Sequence, residues 1–112
     1  MADLEITNIT DNPEPQSRTT YHRLIWNEIS ITIRYTCNAY GQNFDHLEIK
    51  SVEPEYAPLP FTETGYKSHY VPEHHIADMG GAVAYVQAWL AETAKAPVWQ
   101  AQQAAARQLS LF

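Results

Sequence analysis

A chain of 112 residues, 45% hydrophobic and 12% aromatic, is the size of one domain with one modest core, and this composition excludes a disordered chain. Thirteen acidic against seven basic residues leave a net charge of −6, and Arg18, Arg23, Arg34, Lys50, Lys67, Lys95 and Arg107 are scattered along the sequence. Direct binding to DNA is therefore not expected, because displacing counterions from phosphates needs clustered Lys and Arg. The single Cys37 excludes an intramolecular disulfide. The first residues carry no secretory signal, and no run approaches the roughly 20 apolar residues of a membrane span, so a cytoplasmic protein is expected.

Residues 1–20 hold Leu4, Ile6 and Ile9 in a weak alternation, followed by a polar, proline-containing run. This predicts a flexible arm or an edge strand. Residues 21–97 carry the globular part. Tyr21 to Trp26 favours a strand that turns near Asn27-Glu28. Beyond it Ile29, Ile31, Ile33, Tyr35 and Cys37 alternate with polar residues, the pattern of a strand with one wet face. The turn residues Asn38 to Asn43 lead to a second strand, His46 to Val52, with Leu47 and Ile49 inward. Its phase slips at Val52, which predicts a bulge or the strand's end. A hairpin over about 28–52 is the expected heart of the domain.

Glu53 to Pro60 contains three prolines and is expected to run extended over the surface. Tyr66 to Val71 reads as a short strand ended by Pro72. Asp78 is a candidate N-cap for a helix over about 79–96, where Val83, Val86 and Leu90 recur at helical spacing beside the pair Tyr85 and Trp89. Pro97 ends this helix or starts the next one. Residues 98–107 are rich in Ala and Gln and poor in apolar side chains, which predicts a helical stalk about 15 Å long at 1.5 Å per residue. The fold class is thus α+β: a small antiparallel sheet of three to four strands, covered by a C-terminal helix, with residues 98–112 forming a stalk and tail.

The last five residues are Gln108-Leu109-Ser110-Leu111-Phe112. Large apolar side chains at a chain end are hard to bury within the domain and suggest a partner. The string Q-L-S-L-F resembles the peptide by which bacterial proteins dock onto the DNA sliding clamp, the ring-shaped processivity factor of replication. The resemblance implies that Gln108 occupies one subsite, that Leu111 and Phe112 fill a deeper apolar one, and that Leu109 bridges them; Ser110 is expected to face solvent or make a backbone bond. It implies a partner, the clamp, and a location at the nucleoid or replication fork. The stretch Leu59 to Val71 resembles small uncharacterised proteins of bacterial plasmids and phages. A non-enzymatic adaptor, requiring no cofactor, is the leading expectation. One alternative is a domain whose C-terminus packs internally and which binds an unrelated partner.

A second alternative is a small clamp-tethered, metal-dependent enzyme using Glu63, His69, His74, His75 and Asp78. His69 to His75 matches no zinc-ligand spacing, and the adjacent His74 and His75 tend to point apart, so a solvated loop with one satisfied histidine is the expected arrangement. A catalytic Cys37–His pair is disfavoured because Cys37 falls in phase with the buried face. Thr62 to His69 mixes hydroxyls, a base and a turn glycine, but has no phosphate-loop spacing.

Overall fold

The computed structural model describes residues 18–39 and 43–109. Residues 1–17 of the stretch 1–20 expected as an arm or edge strand, and the tail residues Ser110, Leu111 and Phe112, lie outside that range, while residues 18–20 open the first strand. Four strands, β1 (Arg18–Trp26), β2 (Ile29–Cys37), β3 (Phe44–Glu53) and β4 (Tyr66–Pro72), form an antiparallel sheet in sequential order. Three helices follow: α1 (His75–Asp78), α2 (Ala82–Thr93) and α3 (Pro97–Leu109). The expected α+β architecture is present.

The β1–β2 connection is a two-residue turn in which Asn27 and Glu28 both take positive φ, 51° and 66°. This backbone matches the right-handed twist of the flanking strands. One face of the sheet carries Leu24, Ile31, Ile33, Leu47, Ile49 and Val71, all buried. Onto them pack Ile76 from α1 and Ala82, Val86 and Leu90 from α2. The i, i+4, i+8 spacing of the α2 trio places them on one stripe. Each fully buried Ile or Leu contributes about 1.5–3 kcal/mol, so this layer is the main source of stability.

The phase slip at Val52 is a bulge. Ser30 pairs with Glu53 and Ile31 with Ser51, leaving Val52 as the extra residue on β3. Ser51, the last residue in phase with Leu47 and Ile49 before the bulge, is buried; its amide donates to the Gly65 carbonyl at 2.8 Å and its hydroxyl to the Ala57 carbonyl at 2.7 Å.

Two expectations need correction. Residues 53–60 lie largely at the surface, with Leu59 buried, but they are not extended. They fold into tight turns, with reciprocal backbone bonds between Leu59 and Thr62 at 2.8 and 3.0 Å. Leu59 is 1% exposed and Phe61 stacks on Trp89 at 4.2 Å between centroids, so two apolar side chains pull the segment inward despite its prolines. Asp78 is not the N-cap of the main helix but the last residue of α1; Gly81, with φ 105°, precedes α2. Burial of Ile76 draws residues 75–78 into a helical turn of their own, and Gly80 and Gly81 at positive φ break the path to α2.

Asp45 is a buried carboxylate, 2% exposed, at the start of β3. It accepts from the Tyr35 hydroxyl at 2.9 Å and from the Asn38 amide at 3.0 Å, fixing the exit of β2. Burial, with the Cys37 and Asp45 contacts beside it, pushes the Tyr35 hydroxyl far above its usual range, so it stays a donor. Tyr35→Phe is expected to cost about 1–3 kcal/mol, the typical cost of leaving a buried acceptor short of a partner. Urea denaturation measures this directly, and an unchanged midpoint would contradict the assignment.

Candidate functional site

Pro97 opens α3, and Trp99, 6% exposed, sets its first turn against Trp26 at 6.0 Å between ring centroids. The Gln100 side chain donates back to the Ala94 carbonyl at 2.7 Å, closing the junction with α2. From there to Gln108 the helix is solvent-exposed, with only Gln103 half-buried. Ten residues at about 1.5 Å each set the end of α3 roughly 15 Å beyond this anchor. Gln108 is exposed and helical and Leu109 ends the helix. The expected docking side chains Leu111 and Phe112, with Ser110, lie outside the described residues.

The histidines divide between two places. His69, on β4, turns toward the helices: its Nε2 hydrogen-bonds the Tyr85 hydroxyl at 3.2 Å, and its ring lies 4.4 Å from that of Trp89. With His75, Met79 and Glu92 these residues line an open cleft of about 420 Å³. His74, at φ 73°, instead lines a cavity of about 490 Å³ with Arg18, Tyr35, Cys37, Asp45 and Glu73. His74 and His75 thus serve different cavities. Asp78 and Glu63 are exposed and line neither. Among the described residues no three His, Cys, Asp or Glu side chains are grouped so as to hold a metal ion. Cys37 is half-buried beside Tyr35 and shares the second cavity with His74.

Burial holds the His69 imidazole below its usual value of 6.5, and the Lys67 ammonium, with the neighbouring His46 and His75, pushes the same way. As pH falls through 6.5 the unfolded chain takes up a proton that folded His69 resists, so stability present at neutral pH is lost on acidification. Urea midpoints measured from pH 8 to pH 5 are expected to fall, less steeply in His69→Gln. Equal slopes in the two proteins would rule out this histidine as a cause.

The feature that the sequence reading did not single out is the other face of the sheet. Among the described residues α1 and α2 pack on the Leu24–Ile33–Ile49 side, and the opposite side carries Tyr21, Arg34, Lys50, Tyr66 and Tyr70. Cations far apart in sequence are gathered there by strand pairing. The available signal was the wet phase of each strand, in which aromatic and basic residues alternate with the core positions.

These elements define a small α+β domain: a four-stranded meander with helices on one face and an aromatic second face that no described helix covers. The chain belongs to the KlcB third-domain family, which it matches over residues 19–99. The match runs from β1 to the Trp99 anchor and stops before the exposed part of α3. No curated protein and no solved structure matches the chain. No helix among the described residues is long and apolar enough to cross a membrane.

Proposed function

We propose that the chain is a non-enzymatic adaptor that docks on the bacterial DNA sliding clamp through Gln108, Leu109, Ser110, Leu111 and Phe112. The observation that supports the reading is an exposed helix, anchored by Trp99, that runs to Gln108 and Leu109, the first two residues of the Q-L-S-L-F string. A polar helix exposed from Ala101 to Gln108, apart from the half-buried Gln103, suits a tether for the apolar peptide that follows it in sequence. Residues 19–99 would then form the family-shared body, and residues 100–112 the tether. A mobile element would use such a protein to act on host replication, repair or defence.

Peptide docking of this size reaches only moderate affinity. Burial of Leu109, Leu111 and Phe112 contributes about 1.5–3 kcal/mol each, and ordering the peptide offsets several kcal/mol. A Kd on the order of micromolar is therefore expected. Titration of a purified clamp with the full chain tests this, and no binding at about 100 μM would refute the proposal.

A further inference from the structure

We infer that the open face of the sheet binds single-stranded nucleic acid. The pairing register arranges this face in rows. Thr19, Thr36, His46 and Tyr70 lie side by side; next come Tyr21, Arg34, Glu48 and Ser68; then Arg23, Thr32, Lys50 and Tyr66. Each row crosses all four strands, at about 4.8 Å per strand. Three tyrosine rings stand on the surface, Tyr21 at 73%, Tyr66 at 41% and Tyr70 at 50% exposure. Tyr66 and Tyr70 lie on one strand, roughly 14 Å apart at 3.4 Å per residue, and Tyr21 lies at the far edge.

The rings are held in place. Tyr66 donates its hydroxyl to Glu48 at 2.7 Å, and Glu48 also accepts from Arg34 at 3.4 Å. His46, whose Nε2 hydrogen-bonds the Ser68 hydroxyl at 2.7 Å, lies against the Tyr70 ring at 4.4 Å between centroids. Lys50 reaches over the Tyr56 ring at the side of the sheet, 5.5 Å from its centroid. Restraint of this kind lowers the entropic cost of binding.

Charge decides the class of ligand. The chain as a whole is at −6. The three rows hold three cations, Arg23, Arg34 and Lys50, against one carboxylate, Glu48. A locally positive surface on an acidic protein selects a polyanion. Exposed rings select one that offers flat faces, and in single strands the bases are free to stack. A duplex hides those faces, and three cations are too few for tight duplex binding by phosphate contacts alone. Total charge and scattered sequence positions gave no sign of this surface; strand register supplies the cluster.

The test is fluorescence anisotropy at low salt, using the full chain with a labelled 12-nucleotide single strand, the same sequence as a duplex, and polyglutamate. The single strand is expected to bind best, with log K falling against log salt at a slope of about −2, three phosphates at roughly 0.7 each. Tyr66→Ala and Tyr70→Ala are each expected to weaken binding about tenfold or more, as loss of one stacking platform does. Tyr66→Phe keeps the ring without the Glu48 bond and is expected to stay within about twofold. The Leu111→Ala/Phe112→Ala chain is expected to bind equally well, which separates this surface from the clamp peptide. Absence of single-strand binding overturns the inference. Equal binding to polyglutamate, insensitive to both alanine changes, also overturns it and points to an acidic protein. Duplex binding as tight as single-strand binding overturns it as well.

Discussion

Leu111→Ala/Phe112→Ala is expected to weaken clamp binding by about 2–5 kcal/mol, roughly 30- to 4,000-fold. The physical basis is area. The two side chains are the largest apolar groups of the peptide, and by resemblance they share the deeper pocket. Truncating both removes most of the burial that offsets the cost of ordering the tail. Stability of the body is expected to be unaffected, because α3 from Ala101 to Gln108 is solvent-exposed apart from the half-buried Gln103. Calorimetric titration of the clamp and a thermal melt of the free protein read the two quantities separately. Lost affinity with an unchanged melt supports a tether. A lower melting temperature would instead favour a C-terminus packed on its own domain.

Gly65→Ala is expected to be the most damaging conservative change in the body. Gly65 stands at φ 75° in the approach to β4, and its carbonyl receives the buried Ser51 amide. A Cβ there would lie 2.7 Å from the Tyr56 carbonyl carbon and 2.8 Å from the Ala57 oxygen. Both neighbours are backbone, so neither yields by a rotamer change. Positive φ and the clash together are expected to cost about 2–4 kcal/mol. For a domain of this size that is a fall in Tm of roughly 10–30 °C. Gly81→Ala makes the control: its φ is 105° but nothing lies within 4 Å of the added carbon. It carries strain without a clash and is expected to lose less. Equal losses would show that the close packing of Gly65 on Tyr56 and Ala57 is unimportant.

Much of the sheet was legible because period two is a strong signal. Ile29 to Cys37 read as a half-buried strand and forms β2, and the misphased Val52 marked the bulge. What failed was decided by tertiary contacts. Leu59 and Phe61 lie in a proline-rich run whose local chemistry says loop; tertiary contacts make Leu59 a core residue and set the partly buried Phe61 against Trp89. Asp78 is a good cap by type, but burial of Ile76 and two glycines at positive φ moved the helix start to Ala82. His69 shows no partner within its own segment; its partners Tyr85 and Trp89 come from α2. The open sheet face stayed hidden for a related reason. Arg23, Arg34 and Lys50 become neighbours only through register, which spacing along one strand does not reveal.

The central claim is that the tail, rather than the body, carries the chain to the clamp. It is tested most directly by titrating one purified clamp with the full chain and with a synthetic peptide of residues 97–112. Affinities equal within about threefold are expected, since the peptide holds every proposed docking residue. A chain that binds while the peptide does not would place the docking surface on the body and contradict the claim.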